Sequence, residues 1–322
     1  LLFSSICICL GLVHLSLAAE APFPSKAITL VVGFGAGGAS DVAMRALIPT
    51  MEKRFKQPVV VLNKPGAATA IAMEYLKNAN ADGYTIGSFS ASGFIGSLMR
   101  PVPYDWMNDF THISQFSTSS VGFAVREDSP FKTLKDLVDY SNKNPGKLRF
   151  GVCSPGCAAH TITSYFVSRH KLKWTYVPFD DDATTATALM GGHVDAMCSS
   201  PSGWGPFLKA GQARVLISFT QQRPSEYPGV LSANELNEPY PEFQIYGLAG
   251  PKGLPDNIVK MFASAVKAAT EEPSFIDLMK KRSLQIEYMD GEKYRKNLIK
   301  IDQEVAQVLK DAGVKLVREP VK

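Results

Sequence analysis

Short apolar runs rich in β-branched residues alternate with helix-like segments along most of this 322-residue chain. The first series predicts strand 27–33, helix 40–55 and strand 58–62. A second series begins after Ser129-Pro130 with helix 132–142. Because such alternation is typical of parallel sheets covered by helices, we expect two α/β domains with parallel-type sheets.

The order of the predicted elements suggests how the two domains are connected. Three predicted helices close the chain without a further strand, so we expect them to return to the first domain. The chain would then cross between the domains near 120–125 and near 219–245, which gives a two-segment hinge. The predicted lobes are 22–122 with 222–322, and 123–221. Ligands bind beyond the carboxyl ends of parallel strands, so the site is expected in the cleft between the lobes.

The beginning of the chain predicts export. An apolar run from Leu1 to Leu17 is followed by small residues at Ser16-Leu17-Ala18 and Ala19-Glu20-Ala21, which fit the cleavage site of a secretory signal peptide. We therefore predict a signal peptide at 1–21, truncated at its start, and a periplasmic protein; an uncleaved membrane anchor is the alternative. A formal charge of +4, from 34 basic and 30 acidic residues, gives no reason to expect a nucleic-acid partner.

A glycine loop joins the first predicted strand to its helix and is the first candidate binding site. Glycines allow a tight turn, and the helix that follows points free N–H groups and its positive dipole end at the loop, which favours an anion. Asp41 is expected either to cap the helix and pair with Arg45, or to orient the loop or accept a ligand ammonium or hydroxyl group. The predicted ligand-binding residues here are Phe34, Gly35, Ala36, Gly37, Gly38, Ser40 and Asp41.

The same loop contains the pattern G-x-G-x-x-G at Gly33, Gly35 and Gly38, which raises a dinucleotide-binding alternative. That site also needs an acidic residue at the end of the next strand to hold the ribose. The next strand ends in Asn63-Lys64, without a carboxylate. We therefore predict no cofactor, and keep a nucleotide-dependent enzyme as the alternative.

A second loop, from Gly151 to His160, again joins a strand to a helix N-terminus. Its spacing Cys-x3-Cys-x2-His suggests a metal site or a thiol nucleophile, but zinc usually takes four ligands and a cysteine enzyme needs a paired base. We predict neither a metal nor an enzyme, with a thiol-dependent enzyme as the alternative. A Cys153–Cys157 bridge and a Cys153–Cys198 bridge are equally compatible with the sequence. The predicted ligand-binding residues here are Cys153, Ser154, Gly156, Cys157 and His160.

Hydroxyl and acidic residues follow three further predicted strands. Ser88 and Ser90 end strand 84–89, and their hydroxyls could bind carboxylate oxygens or serve only the turn. The run Asp180 to Asp182 follows strand 173–178, with Asp182 expected as the N-cap of the next helix. We predict that Asp180, Asp182 and Ser199 line the cleft from the second lobe.

Several segments match one known family in both order and spacing. They are Gly37-Gly38-Ala39-Ser40-Asp41, Val60-Val61-Leu62-Asn63-Lys64-Pro65-Gly66-Ala67, Ala81-Asp82-Gly83-Tyr84-Thr85, Val177-Pro178-Phe179-Asp180, Gly191-Gly192-His193-Val194-Asp195 and Gly250-Pro251-Lys252-Gly253-Leu254-Pro255. The chain resembles the periplasmic solute-binding proteins of tripartite tricarboxylate transporters, the Bug-type receptors. This resemblance implies a two-lobe, type II Venus-flytrap fold with a carboxylate held between the lobes. It also implies that Phe34 to Gly38 match the family's first carboxylate loop, that Cys153 to Cys157 match the second, and that His160 matches the family's histidine after it.

The chain departs from that family in ways that bear on the ligand. Cys153 and Cys157 stand where serine or threonine is usual, and Asp181-Asp182-Ala183 where glycines are common. Two added carboxylates disfavour a fully charged tricarboxylate, so we expect a dicarboxylate, an aromatic acid or an amino or amide-bearing acid. The predicted function is a monomeric receptor that delivers its ligand to the membrane permease subunits of a tripartite transporter. Signalling to a sensor kinase is the alternative output.

Overall fold

The protein is described by a computed structural model over residues 23–153, 157–224, 226–238, 240, 244–311 and 313–321. The predicted signal peptide at 1–21 lies outside the described residues, and so do Ser154 and Gly156. Within the described part of the chain, no helix is both long and apolar enough to cross a membrane.

One sheet is built from both ends of the chain. Its strands are β1 (Ile28–Val32), β2 (Val59–Asn63), β3 (Thr85–Ser90), β4 (Phe110–Thr118), β10 (Ile245–Pro251) and β11 (Gln285–Asp290). They lie in the order β11-β4-β10-β3-β1-β2. Strand β1 pairs in parallel with β2 and β3, whereas β10 is antiparallel to β3 and β4. We call this sheet with its helices the first lobe.

The middle of the chain forms a second sheet. Its strands are β5 (Gly122–Arg126), β6 (Arg149–Cys153), β7 (Thr175–Phe179), β8 (Ala196–Ser199) and β9 (Ala213–Ser218), in the order β7-β6-β8-β5-β9. Strand β6 is parallel to β7 and β8, and β5 is antiparallel to β8 and β9. We call this sheet with its helices the second lobe. The expected parallel pairing therefore holds for three strands in each lobe, and both sheets are mixed.

Helices cover both sheets. They are α1 (Ala39–Phe55), α2 (Ala70–Lys77), α3 (Ser92–Met99), α4 (Leu134–Lys143), α5 (Ala158–Arg169), α6 (Asp182–Met190), α7 (Pro201–Lys209), α8 (Asp256–Glu271), α9 (Pro273–Lys281) and α10 (Gly291–Asp311). Alternate residues of β1, among them Ile28, Leu30 and Val32, are fully buried against α1 and α8. In the second lobe the ring of Phe123 contacts those of Phe150 and Phe166 at centroid distances of 5.0 and 5.1 Å. These two cores fix the sheet edges from which the site loops project.

The expectation that the last helices bring no strand is wrong. Strand β11 lies between α9 and α10 and adds to the first sheet as an antiparallel edge strand beside β4. Gln285, Ile286 and Glu287 are all exposed at this edge. In the sequence, polar Gln285 and Glu287 alternate with apolar Ile286 and Tyr288, so a short period-2 signal is present, but the prediction of a helical tail left it unused.

The lobes are joined where the hinge was expected. The chain leaves β4 through residues 119–121 and returns through a second segment that ends at Gln244. The backbone N–H of Ser119 donates to the carbonyl of Gln244 at 2.7 Å, so the two crossings lie side by side. The lobe boundaries at 122/123 and 221/222 stay predictions.

Candidate functional site

A narrow pocket lies between the lobes, beside the crossings. Among the described residues it is lined by Phe34, Gly38, Ala39, Ser40, Ser90, Ser92, Cys153, Ala158, Ala159, Asp181, Asp182, Gln244 and Tyr246. The space open to the centres of water molecules is about 30 Å³. That is room for only a few atoms, so this conformation is a nearly closed one.

Four helices begin at this pocket. Helices α1 and α3 reach it from the first lobe with Ala39 and Ser92, and α5 and α6 from the second lobe with Ala158 and Asp182. The N-cap of α1 is Gly38, and no side chain caps this helix. Because the first backbone N–H groups of a helix lack internal acceptors and its N-terminus carries partial positive charge, the pocket favours negatively charged groups.

The Ser40 hydroxyl adds a polar group with no partner. Ser40 is only 4 % exposed, and its Oγ makes no hydrogen bond to any described residue. Buried polar side chains are nearly always hydrogen-bonded, so such a hydroxyl at the wall of a pocket marks a position for a ligand oxygen. Ser40 lies in the first turn of α1, where the helix N–H groups point the same way.

Asp41 stabilises the first loop, between β1 and α1, through its hydrogen bonds. Its Oδ2 accepts hydrogen bonds from the N–H of Gly37 at 2.9 Å and from Arg45 Nε at 2.8 Å, and its Oδ1 accepts one from Asn63 Nδ2 at 2.9 Å. Burial alone would raise the pKa of Asp41, but the hydrogen bonds from Arg45, Gly37 and Asn63 hold it below its usual value. The predicted pairing with Arg45 and the predicted orientation of the loop are thus both present. The expected capping role is wrong, since Gly38 is the N-cap.

The position of Asn63 also argues against a dinucleotide-binding site. Its Nδ2 donates to the carbonyl of Phe34 at 2.9 Å, so the end of β2 supports the loop where a dinucleotide site would present a carboxylate to a ribose. The glycine pattern of this loop therefore serves a tight turn.

The second loop is closed by a disulfide between Cys153 and Cys157, whose Cα atoms are 6.3 Å apart. This decides between the two predicted bridges. Cys198 is a free cysteine, and burial raises the pKa of its thiol well above the usual range. Neither thiol of the loop is available as a nucleophile in this oxidised form. Among the described residues no group of three or more His, Cys, Asp or Glu could hold a metal ion.

His160 lies in the first turn of α5, directly after this loop. Its ring centroid is 5.2 Å from that of Tyr176, and its Nε2 lies 3.4 Å from Ser164 Oγ. Burial lowers the pKa of His160, which favours the neutral ring. The backbone N–H of His160 donates to Cys157 Sγ at 3.3 Å, so Cys157 caps α5.

The three consecutive aspartates, Asp180 to Asp182, lie in different environments. Asp180 is exposed and lies outside the pocket. Asp181 lines the pocket and is the N-cap of α6, with Oδ1 accepting from the N–H of Thr184 at 2.8 Å. The predicted N-cap at Asp182 is therefore wrong by one residue.

Asp182 is tied to the start of α7. Its Oδ1 accepts from Ser199 Oγ at 2.8 Å, and its Oδ2 accepts from Ser200 Oγ at 2.6 Å. Ser199 is fully buried and serves Asp182 rather than the pocket wall. Burial, with the negative charge of Asp182 as a smaller cause, raises the pKa of Tyr246, whose phenol is hydrogen-bonded to Ser119.

Two contacts join the lobes across the pocket. The N–H of Ala158 donates to Ser92 Oγ at 3.3 Å. Asp181 Oδ2 lies 2.5 Å from the point that a Cβ on Gly35 would occupy, so a side chain at position 35 would collide with it. A glycine is required at this position for the lobes to approach as closely as they do.

Only some of the ligand-binding residues predicted from the sequence line the pocket. Six of them line the pocket: Phe34, Gly38, Ser40, Ser90, Cys153 and Asp182. Gly35 contacts Asp181, whereas Ala36 and Gly37 are exposed. Ser88 lies beneath the loop and accepts from the N–H of Gly33 at 3.4 Å.

Seven lining residues are not among the predicted ligand-binding residues: Ala39, Ser92, Ala158, Ala159, Asp181, Gln244 and Tyr246. Ser92 and Asp181 belong to the serine turn after β3 and to the aspartate run, both of which the sequence had marked as candidates. Ala39, Ala158 and Ala159 contribute as first-turn positions of helices, which a systematic search for helix starts after the loops could find. Gln244 and Tyr246 come from the second crossing and from β10, where no local sequence signal points to a site.

The sequence of the chain is similar to those of known proteins. The family model described as "Tripartite tricarboxylate transporter family receptor" matches residues 43–313. The chain is 30% identical over 288 residues to the "UPF0065 protein in gbd 5'region" of Cupriavidus necator, covering 88% of this chain and 87% of that protein.

Solved structures agree with the fold. The periplasmic binding protein BugD superposes with a TM-score of 0.85 at 25% identity, over 91% of this chain and 99% of that one. A protein of R. palustris solved with adipate also has a TM-score of 0.85, at 24% identity and the same coverage. The predicted class, an α/β two-lobe periplasmic binding protein, is confirmed.

Proposed function

Since the chain belongs to the family of tripartite tricarboxylate transporter receptors, we propose that it captures a small carboxylate between its two lobes and delivers it to a membrane transporter of that type. Its expected location is the periplasm. The pocket described above would hold the ligand, and the permease subunits of the transporter would receive it from the closed form.

The observation that carries this proposal is the meeting of uncapped α1, the unpartnered Ser40 hydroxyl and the start of α5 in one pocket between the lobes. A carboxylate placed there accepts hydrogen bonds from both lobes at once. Because the donors belong to different lobes, binding favours the closed form over the open one. Adipate, present in the R. palustris structure, is an acid of this kind.

An enzyme using either loop is less well supported. The Cys153–Cys157 disulfide removes the thiols of the second loop, and the first loop lacks the acidic partner of a dinucleotide site. No lining residue among those described is a histidine, and His160 is therefore not at the pocket wall. These observations favour capture and release without a chemical step.

The test is direct binding by titration calorimetry of the purified protein. The panel comprises succinate, malate, adipate, citrate, benzoate, nicotinate, aspartate, glutamate and NAD. We expect one class of carboxylate to bind with a micromolar or tighter Kd and NAD to show no heat. Exclusive binding of NAD, or turnover of any panel member on incubation, would overturn the proposal. The matched variant Ser40→Ala should weaken the binding of that carboxylate.

A further inference from the structure

We infer that this pocket selects a carboxylate that also carries a positively charged amino group, and that Asp181 binds this amino group. The inference rests on the proposed function and narrows its ligand class. It would make a zwitterionic acid, rather than a dianionic one, the preferred cargo.

Asp181 offers the pocket an acceptor that the fold does not use. Its Oδ1 is occupied by Thr184, through the backbone N–H at 2.8 Å and the hydroxyl at 2.9 Å. Its Oδ2 receives no hydrogen bond from any described residue and lies beside Gly35 at the wall of the pocket. An ionised carboxylate oxygen in this position has acceptor capacity left for a donor on the ligand.

Asp182 does not compete for that role. Both of its oxygens are held by donors around the start of α7: Oδ1 by Ser199, and Oδ2 by Ser200 and Ser202, the last at 3.4 Å. The backbone N–H of Ser200 adds a further donor at 3.3 Å. Its charge is therefore largely satisfied inside the second lobe, which leaves Asp181 as the acid that a ligand meets.

The start of α1, which lines the same pocket, suits the carboxylate of the same ligand. The Ser40 hydroxyl is nine-tenths buried or more and unpartnered, and it stands at the uncapped start of α1. This independent observation gives the pocket a donor for an anionic oxygen in addition to the Asp181 acceptor for a cationic nitrogen. The narrow space between the lobes favours a ligand in which the two groups are only a few atoms apart.

The charges of the side chains that line the pocket also favour a ligand with an amino group. Among the described lining residues, two are carboxylates and none is a lysine, arginine or histidine. A second ligand carboxylate near Asp181 would meet a like charge with no cationic side chain to offset it, whereas an ammonium group would be attracted.

The experiment compares matched acids that differ by one amino group. The pairs are succinate and L-aspartate, glutarate and L-glutamate, adipate and 2-aminoadipate, and butyrate and 4-aminobutyrate. Dissociation constants are measured by calorimetry for the wild-type protein, Asp181→Asn and the control Asp180→Asn. Asparagine is a good N-cap, so Asp181→Asn keeps α6 capped while removing the charge. Asp180→Asn makes the same change of net charge at an exposed position.

In the pair that contains the tightest ligand, we expect the amino acid to bind wild-type protein at least tenfold more tightly than its amino-free partner. Asp181→Asn should reduce this ratio to within twofold, and Asp180→Asn should leave it unchanged. Equal or tighter binding of the amino-free acid, or an unchanged ratio in Asp181→Asn, would overturn the inference while leaving the carboxylate receptor intact. Binding of citrate, benzoate or nicotinate with no binding by any member of the pairs would overturn the inference alone. Absence of binding by every acid of the pairs and of the wider panel would overturn the proposed function together with the inference.

Discussion

The Ser40 hydroxyl is expected to cost stability in the empty protein and to contribute affinity in the loaded one. A buried hydroxyl without a partner costs about 1–3 kcal/mol, and a hydrogen bond to a charged group contributes about 1.5–3 kcal/mol. We therefore expect Ser40→Ala to raise the free energy of unfolding of the empty protein by about 1 kcal/mol and to weaken carboxylate binding about tenfold. Urea unfolding and calorimetry measure the two effects separately.

Ser141→Ala is the matched control, because Ser141 is also a buried helical serine. Its Oγ donates to the carbonyl of Leu137 at 2.7 Å and accepts from Trp174 Nε1 at 2.8 Å. Removing it leaves a buried indole N–H without a partner, so this variant should lose stability and keep its affinity. A loss of stability in Ser40→Ala comparable to that of the control would contradict the assignment of Ser40 to the ligand.

His112 makes the stability of the first lobe depend on pH. Its ring lies among those of Phe89, Trp106 and Tyr294, at centroid distances of 4.8, 6.3 and 6.0 Å. Burial, with the positive charge of Arg295, lowers the pKa of His112 to about 4. The unfolded chain, with a histidine pKa of about 6.5, therefore binds this proton more readily than the folded protein between those values.

It follows that the contribution of His112 is fully present above about pH 6.5 and is lost as the pH falls toward 4. We expect the step from pH 7 to pH 5 to lower the free energy of unfolding by about 2 kcal/mol through this residue. Urea unfolding at both pH values measures the step for the wild type and for His112→Asn, which cannot titrate. If the variant shows the same step as the wild type, the loss has another source.

At the scale of whole elements, the sequence predicts what is buried better than what is at an edge. Strand β1 could be located because its residues are apolar and β-branched, and the glycine loop after it could be read as a turn before a helix. Strand β11 was missed because the alternation of polar and apolar residues from Gln285 to Tyr288 is short and its side chains are mostly exposed. Periodicity also carries no information on strand direction, so the antiparallel pairing of β10 and β5 became visible only in the sheets.

The C-terminal segment is held against α10 and α3 by a buried ion pair. Arg318 donates to both oxygens of Asp302, which is fully buried, and also to Ser97 Oγ at 2.7 Å. Removing one partner of such a pair leaves a buried charge unpaired and costs about 3–5 kcal/mol. We expect Arg318→Met to destabilise the protein by that amount in urea unfolding.

Two further variants make this prediction specific to the buried pair. Asp302→Leu combined with Arg318→Met should recover most of the lost stability, because neither charge is then left unpaired. Lys296→Met breaks the exposed pair between Lys296 and Glu292 on the same helix and should leave the unfolding transition in place. A double variant as unstable as Arg318→Met alone would assign the loss to packing.

At the scale of the whole molecule, the site is assembled from segments far apart in sequence. The loops after β1 and β6 could be predicted because each is a local strand–loop–helix pattern. The choice among Asp180, Asp181 and Asp182 could not, because a shift of one residue in the start of α6 turns a different side chain into the pocket. Gln244 and Tyr246 reach the pocket only because the two crossings lie side by side.

Closure of the two lobes depends on the absence of a side chain at Gly35. A Cβ at this position would stand 2.5 Å from Asp181 Oδ2, and the hydrogen bonds from Thr184 to Oδ1 restrain that carboxylate from swinging away. We expect Gly35→Ala to hold the lobes apart, to weaken binding of the tightest acid at least tenfold, and to increase the radius of gyration of the ligand-saturated protein in small-angle scattering. Gly229→Ala, where a Cβ would meet nothing within 4 Å, should change neither quantity. Gly35→Ala combined with Asp181→Ala removes the carboxylate that the new Cβ would meet and should restore the compact form. If the double variant stays as extended as Gly35→Ala alone, the lobes are kept apart by something other than this contact.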